Sequence, residues 1–451
     1  MIDSTRLVSI SESMKSLTPL NVLHRVRGQS RFMWANERDG FALVGFGTAA
    51  ELVAWSGSRF MSIQRQAQTL FKDAVILNAD QPHVGPRLFG GFAFQDDFVP
   101  DNTWTIYAPA WFILPHYQFT QVGESAWLTI NVRLPVDEDY EAIIPELRQA
   151  LQDRIALLIE SEDVQVEKAG EPASLDYPMP YNTWRDNILE ATHLMNETAL
   201  KKVVLSRVAE IGFDGRVNID AALAYLNQQY ADSYRFLFEP RPAHAFFGAT
   251  PELLAQVQGD QLRTMGLAGS IRRGSTGEED DAYASTLLND PKERHEHALV
   301  VAGLRERLEP VTSALHIPET PGILKLNNIQ HLHTPVTGIL REANGVLPLV
   351  ESLHPTPALG GEPRDVALKF IKDAEPVPRG WYAAPVGWLD PNLDGAFGVA
   401  IRSAVSQERR VWLYAGAGIV ADSQPQKEWD ETALKFRPML EALGIKEKMH
   451  V

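Results

Sequence analysis

Residues 396–420 read AFGVAIRSAVSQERRVWLYAGAGIV and contain two apolar runs that indicate antiparallel sheet. Two apolar runs, AFGVAIRSAV and RVWLYAGAGIV, flank a short polar loop at 406–409. Such a pair of runs is typical of a β-hairpin. The amphipathic sequence QKEWDETALKFRPMLEAL follows, and its helical spacing predicts a C-terminal helix. We therefore expect antiparallel sheet and helix side by side.

Similar segments recur along the chain. FALVGFG, RLFGGFAF, WFILPHYQF, AWLTINVRL, KVVLSRVAEIGF and YRFLFEP are predicted strands, and a hairpin loop is expected at 120–125. Apolar periodicity predicts helices in DEDYEAIIPELRQALQDRIALLIE, YNTWRDNILEATHLMNETAL and NIDAALAYLNQQY. Because strands and helices do not alternate regularly, the pattern favours an α+β fold with much antiparallel sheet. The polar segment 161–177 is the best linker candidate.

Composition excludes several classes of protein. The 451 residues include no cysteine, so disulfides, thiolate metal sites and cysteine nucleophiles are excluded. A formal net charge of −16 argues against a nucleic-acid partner. No apolar run reaches the ~18 residues that a membrane span needs, and the first residues do not resemble a secretory signal. We expect a cytoplasmic protein without a membrane partner.

The octet KERHEHAL, residues 292–299, looks at first like a zinc site. It lies in a predicted helix, where His295 and His297 point about 200° apart and cannot share one ion. Glu293 and Glu296 are three residues apart and share one face, and Glu428 and Glu431 repeat this spacing in the C-terminal helix. Two such pairs could form an oxygen site suited to Mg²⁺. The alternative is that all four carboxylates are solvated.

Two further stretches contain candidate acid–base groups. Lys202 shares a strand face with Val204 and Ser206; a buried lysine can become a general base, whereas a solvated one at a strand end cannot. Glu252 in GATPELL could stay protonated and serve as an acid; the alternatives are that it caps a helix or is exposed. From the residues alone, a Mg²⁺-carboxylate enzyme is one candidate class.

Taken in order, nine segments between about 200 and 440 resemble the chorismate-utilising enzymes: KVVLSR, GATPELL, GLAGSIRRG, KERHEHALV, LHPTPALGG, YAAPVGW, GVAIRS, YAGAGIV and QKEWDETALK. The stretches RFMW, GFGTA and RLFGGFAF resemble the isochorismate synthase branch, particularly its menaquinone type. The resemblance implies a large antiparallel β-sandwich surrounded by helices. Residues 1–165 would add strands to the same body as a chorismate-binding core at 175–445.

The resemblance also implies an activity. Lys202 stands where ammonia-adding members carry glutamine, and Ala268 stands where one type of aminodeoxychorismate synthase carries a nucleophilic lysine. These positions favour an isochorismate synthase, which adds water at C2 of chorismate and releases the C4 hydroxyl. Salicylate synthase, which then eliminates pyruvate, is the nearest alternative, and Ser270 stands where lyase-competent relatives carry threonine. An anthranilate or aminodeoxychorismate synthase component, or a non-catalytic chorismate-binding protein, is a further alternative.

Roles for individual residues follow from the same resemblance. It implies that Lys202 is the base, that Glu252 is the acid, and that Mg²⁺ is held directly by Glu296 and Glu431 with support from Glu293 and Glu428. The substrate-binding positions that it implies are Arg402, Lys435, Tyr382, Gly416, Gly418, Gly269, Ser270, His331 and Thr356. We expect a monomer whose partner is chorismate. The long N-terminal region favours menaquinone biosynthesis over siderophore or salicylate formation.

Overall fold

The computed structural model describes residues 5–15, 17–81, 83–160 and 168–445, in which strands and helices are interspersed. In chain order the strands are β1 (Thr5–Met14), β2 (Arg31–Asn36), β3 (Phe41–Phe46), β4 (Ala50–Ala54), β5 (Val75–Leu77), β6 (Leu88–Phe92), β7 (Ala110–Leu114), β8 (Tyr117–Val122), β9 (Ser125–Pro135), β10 (Pro172–Asp176), β11 (Lys202–Phe213), β12 (Tyr234–Arg241), β13 (His244–Thr250), β14 (Leu253–Gln258), β15 (Gln261–Arg272), β16 (Thr312–His316), β17 (Gly322–Lys325), β18 (Ile329–Leu340), β19 (Gly361–Glu362), β20 (Pro385–Leu389), β21 (Gly395–Val399), β22 (Ser403–Gln407) and β23 (Arg410–Ile419).

The helices in chain order are α1 (Pro19–Arg25), α2 (Arg59–Phe71), α3 (Tyr140–Glu160), α4 (Tyr181–Glu197), α5 (Ile219–Gln229), α6 (Gly277–Asn289), α7 (Pro291–Leu308), α8 (Leu347–Leu353), α9 (Arg364–Ala374) and α10 (Pro425–Ala442). The amphipathic patterns in the sequence predict α3, α4, α5, α7 and α10. Asn218 caps α5, since its side chain accepts the backbone N–H of Ala221. Among the described residues, no helix is both long and apolar enough to cross a membrane.

Two large sheets organise the molecule. Sheet A has the strand order β10-β11-β23-β22-β13-β12-β2-β3-β8-β9-β1-β5, with β19 beside β11. Sheet B has the order β16-β18-β15-β14-β21-β20-β6-β7-β4, with β17 beside β18. Neighbouring strands are antiparallel, apart from the parallel pair β1 and β5. Both sheets contain strands from before and after 161–177, and the predicted α+β class is confirmed.

The core lies between the two sheets. Phe32 of β2 stacks on Phe89 of β6 with ring centroids 6.1 Å apart, and Trp111 of β7 meets Phe238 of β12 edge-on at 5.4 Å. Helices α3, α5 and α10 cover the other face of sheet A and contribute to a second apolar cluster that includes Ile211. Aromatic pairs at these distances add packing energy beyond the burial of their area. The arrangement is a β-sandwich with helices packed on its outer surface.

Two segments that were each predicted as a single strand are divided between the two sheets. WFILPHYQF is not one strand: β7 ends at Leu114 in sheet B, and β8 begins at Tyr117 in sheet A. Proline has no backbone N–H, and Pro115 lies at this break. AFGVAIRSAV is also divided, between β21 in sheet B and β22 in sheet A. The hairpins predicted at 120–125 and 406–409 are confirmed.

The predicted linker at 161–177 is partly wrong. Residues 161–167 lie outside the described residues. Residues Pro172–Asp176 form β10 and pair with β11, so this part belongs to the edge of sheet A. The turn in GATPELL connects two strands, β13 and β14, so Glu252 caps no helix.

Candidate active site

One cleft, which opens among β11, β15, β18, β23, α7 and α10, brings most of the predicted site residues together. The empty space inside it, counted together with the open solvent at its mouth, is about 690 Å³. Eleven of the fifteen predicted residues line it: Glu252, Gly269, Ser270, Glu296, His331, Tyr382, Arg402, Gly416, Gly418, Glu431 and Lys435.

The other four predicted residues lie around this lining. Lys202 and Glu293 bond directly to lining residues, and Glu428 precedes Glu431 by one turn of α10. Thr356 is buried in the turn between α8 and β19, where its carbonyl accepts the N–H groups of Leu359 and Gly360. Leu359 itself lines the cleft, so Thr356 shapes that wall through the backbone.

Lys202 is completely buried at the start of β11. Its Nζ donates a hydrogen bond of 2.8 Å to Oε1 of Glu296, which is 9% exposed. The pair joins the first residue of a sheet A strand to the second turn of α7. Of the two alternatives for Lys202, the buried one is correct and the solvated one is wrong. Glu296, its partner, lines the cleft.

Glu252 is buried in the connection between β13 and β14. Its backbone N–H donates to Oγ1 of Thr250, and its carbonyl accepts the N–H of Val399 at 3.0 Å. Burial raises the pKa of its carboxyl to about 8, although the charges of Lys202, Lys435 and Arg402 act to lower it. The carboxyl is therefore protonated at neutral pH and can donate a proton into the cleft.

Arg402 and Lys435 give the cleft its positive charge. Arg402 is buried in the crossover between β21 and β22, in the left-handed region at φ 49°. Its Nη2 lies 2.8 Å from Nε2 of His331, while Nη1 has no hydrogen-bond partner in the described part of the chain. The Nζ of Lys435 donates to the carbonyl of Gly416 at 2.8 Å and pairs with Glu431 at 2.7 Å. Anionic groups of a ligand would meet two cations here.

The state of His331 follows from its surroundings. Burial and the charge of Arg402 hold the pKa of its imidazole well below the usual range, so the ring is neutral. Nδ1–H then donates to the carbonyl of Gly269 at 3.2 Å, and Nε2 accepts from Arg402. His331 thus orients the guanidinium without adding charge.

Four glutamates from α7 and α10 gather on one side of the cleft. Asp290 caps α7 by accepting the N–H of Glu293 at 3.0 Å, and this start of the helix sets the orientation of Glu293 and Glu296. Burial, together with the charges of Glu296 and Glu431, raises the pKa of Glu293 to about 7. Burial and the charge of Glu431 likewise raise the pKa of Glu428. The predicted alternative of four solvated carboxylates is therefore wrong.

These glutamates are held as ion pairs rather than as a formed coordination shell. Lys202 pairs with Glu296, Lys292 with Glu428 at 2.9 Å, and Lys435 with Glu431. Burial raises the pKa of Glu431, but the charge and hydrogen bond of Lys435 outweigh it and hold that pKa below its usual value. Across the described residues, no three histidine, aspartate or glutamate side chains converge as metal ligands.

Two glycines make this geometry possible. A Cβ on Gly418 would lie 2.3 Å from Oε1 of Glu296 and 3.1 Å from Cε of Lys202, so any side chain would displace the ion pair. Gly269 forms a bulge in β15 opposite β18 and has φ +77°, a conformation that glycine adopts without strain. The bulge directs the N–H of Ser270 to Oε2 of Glu293 at 2.9 Å and its Oγ to Glu431 at 3.0 Å.

The two histidines of KERHEHAL lie on different sides of α7. His295 is exposed, whereas His297 is buried, with Nε2 2.8 Å from Oγ1 of Thr334. Burial lowers the pKa of His297 to about 4, so the ring is neutral. The prediction that they share no zinc ion is confirmed by these positions.

Sequence reasoning missed two residues. Lys292 bonds to Glu428, although it stands in the octet that drew attention first. The sequence gives no signal for this contact, because Lys292 lies on α7 and its partner Glu428 lies on α10. Tyr414 lines the cleft and stacks on Tyr382 with centroids 4.9 Å apart, and Trp104 donates to its hydroxyl at 3.0 Å. Its alternation with Gly416 and Gly418 along β23 places it on the same face of the strand.

The cleft thus brings a buried lysine, a carboxyl whose pKa burial raises, and two cations close to four clustered carboxylates, groups that acid–base chemistry on a small anionic molecule would require. The chain belongs to the family described as chorismate binding enzyme, whose profile matches residues 2–444. It is 35% identical to "Isochorismate synthase MenF" of Bacillus subtilis over 97% of this chain and 93% of that protein. It is also 35% identical to "Salicylate biosynthesis isochorismate synthase" of Pseudomonas aeruginosa, over 98% and 91%.

Solved structures agree with this membership. The menaquinone-specific isochorismate synthase MenF of Escherichia coli superposes with a TM-score of 0.80 at 27% identity and covers 97% of this chain and 94% of that chain. Anthranilate synthase component I of Streptococcus pneumoniae shares the fold, with a TM-score of 0.72 at 20% identity over 89% and 92% of the two chains. The expected family and its fold are confirmed.

Proposed function

We propose that the protein is an isochorismate synthase, which converts chorismate to isochorismate. The observation that carries this proposal is the presence of two buried groups, a candidate base and a candidate acid: Glu252 lines the cleft, and Lys202 bonds to Glu296 in its lining. Water addition at C2 needs a base, and departure of the C4 hydroxyl needs an acid. One water enters and one water leaves, so substrate and product have the same composition.

In this proposal the amine of Lys202 accepts a proton from the water that attacks C2. Its Nζ donates to Oε1 of Glu296 at 2.8 Å, and this contact orients the amine. The ring double bonds shift as the new C2–O bond forms, and the C4–O bond breaks.

Glu252 donates its proton to the departing C4 hydroxyl, which leaves as water. Its carboxyl is suited to this step because burial keeps it protonated at neutral pH.

Arg402 and Lys435 bind the two carboxylates of the substrate, with the guanidinium oriented by His331. We assign Tyr382, Gly416 and Gly418 to the wall beside the enolpyruvyl group, and Gly269, Ser270 and Thr356 to shaping of the pocket.

We propose that Glu296 and Glu431 hold Mg²⁺ directly, with Glu293 and Glu428 in support. Two features of the chain fit a cation: Oε2 of Glu428 is buried without a hydrogen-bond partner among the described residues, and burial together with the like charges of Glu296 and Glu431 raises the pKa of Glu293. When bound, the ion would neutralise a substrate carboxylate and reduce the repulsion among the four glutamates. A cytoplasmic, monomeric state stays a prediction.

A product assay tests the proposed function. Purified protein incubated with chorismate and Mg²⁺ should accumulate isochorismate as the main product, resolved by liquid chromatography. Salicylate and pyruvate as main products would instead identify a salicylate synthase. Chorismate that binds but is not converted would identify a binding protein.

A further inference from the structure

Lys292 occupies a position that helix electrostatics disfavour. It is the second residue of α7, in the first turn, where the helix dipole favours acidic side chains and disfavours cations. Its side chain is only 26% exposed, although a lysine at a helix start could extend into solvent. Both costs must be offset by a specific contact.

That contact joins the two helices that carry the glutamates. Nζ of Lys292 lies 2.9 Å from Oε1 of Glu428 on α10 and 3.6 Å from Oε1 of Glu293 on α7. The Glu428 side chain is 1% exposed, and its other oxygen, Oε2, is buried without a hydrogen-bond partner among the described residues. Lys292 thus fixes one oxygen of this carboxylate and leaves Oε2 outside the contact.

The other two lysines of the site face different groups. Lys202 contacts Glu296, and Lys435 contacts Glu431 and the carbonyl of Gly416 beside the cleft. Lys292 is not among the residues that line the cleft, and its ammonium contacts the carboxylates of Glu428 and Glu293. Its task therefore concerns the carboxylate set and not the substrate.

We propose that Lys292 is a positioning residue for the divalent cation: it fixes Glu428 against α7 so that the free Oε2 is presented to the ion. This inference rests on the proposed Mg²⁺ role of the four glutamates. It does not require that chorismate be the substrate.

Binding of Mg²⁺ alone, measured by isothermal titration calorimetry without chorismate, tests the inference. Lys292→Met should weaken Mg²⁺ binding about tenfold or more, as loss of a group that orients a metal ligand does. Lys372→Met is the matched control, because it removes the same charge from the exposed ion pair of Lys372 with Asp97 on the surface. Circular dichroism verifies that each variant is folded at the temperature of the titration.

A double-variant cycle asks whether Lys292 acts through Glu428. In a Glu428→Gln background, Lys292→Met should cause no further loss of Mg²⁺ affinity. This comparison also serves if Lys292→Met alone does not fold, because removing both members of a buried pair costs less than removing one. An unchanged affinity in Lys292→Met, or a further loss in the Glu428→Gln background, would overturn the inference.

The same experiment separates this inference from the proposed function. Unsubstituted protein that binds Mg²⁺ but makes no isochorismate would reject the function and leave the role of Lys292 standing. Protein that makes isochorismate while Lys292→Met binds Mg²⁺ normally would reject only the role of Lys292. Absence of Mg²⁺ binding by the unsubstituted protein would overturn the metal assignment and this inference together.

Discussion

At the scale of single residues, burial gives common side chains unusual chemistry. Glu252 and Glu428 are both deeply buried carboxyls, yet their neighbours differ: Glu252 faces the cations of the cleft, and Glu428 contacts Lys292. The sequence could nominate both residues from motif spacing and resemblance. It could not indicate that Lys292 pairs with Glu428, because that contact depends on how α7 packs against α10.

The raised pKa of Glu252 predicts how the rate depends on pH. The protonated carboxyl is the active form, and its pKa is raised from 4.5 to about 8, so activity should persist through neutral pH and fall as the pH rises above about 8. Glu252→Gln removes the acid, and kcat/KM for chorismate should fall roughly 10²–10⁴-fold. The residual activity should lose the alkaline decline near pH 8.

A surface glutamate provides the comparison for this pH profile. Glu408 pairs with Arg216 and is about half exposed, so Glu408→Gln should leave both the rate and the alkaline decline unchanged. If Glu252→Gln kept the same decline near pH 8, another group would be the acid.

At the scale of elements, the sequence predicted segments well and their sheet membership poorly. Periodicity found α7, α10 and the hairpin β22–β23, because those patterns are local. Periodicity failed at Pro115 and at residues 400–402. At each of these places a continuous apolar run passes from sheet B to sheet A. This transition places Arg402 in the cleft, so the failure of the local pattern coincides with a site residue.

Strand β23 gives a prediction at this scale. Gly418→Ala places a methyl group within 2.3 Å of Oε1 of Glu296 and must displace it from Lys202. Because a misplacement of about 1 Å can cost ~10²-fold in rate, we expect isochorismate formation to fall at least that far while the protein stays folded. Steady-state kinetics with circular dichroism on the same sample would measure both quantities.

A glycine with open space around its Cα provides the control for the Gly-to-Ala change. A Cβ on Gly277, at the start of α6, meets no atom within 4 Å, so Gly277→Ala should retain full activity. Near-normal activity in Gly418→Ala would mean that the contact between Lys202 and Glu296 does not govern the reaction.

At the scale of the whole molecule, residues before and after 161–177 share a buried ionic cluster. Arg31 of β2 contacts Glu239 of β12 at 2.6 Å and Asp220 of α5 at 2.8 Å, and Asp220 also accepts from His24 and Arg27. The side chains of Arg31, Asp220 and Glu239 are at most 4% exposed. We propose that residues 1–165 and 175–445 form one cooperative unit through such contacts and the shared sheets.

Substitution of Asp220 tests whether the two regions unfold as one cooperative unit. Asp220→Ala leaves the buried Arg31 guanidinium with one carboxylate fewer, and the free energy of unfolding should fall by about 3–5 kcal/mol. Asp232→Ala removes a carboxylate that is 61% exposed and pairs with Arg38 at 3.2 Å, so it should cost at most about 1 kcal/mol. For each variant, urea unfolding should give a single transition that is the same by tryptophan fluorescence and by circular dichroism. Because the cluster ties β2 to α5 and β12, two separate transitions in Asp220→Ala would mean that the two regions are stable independently.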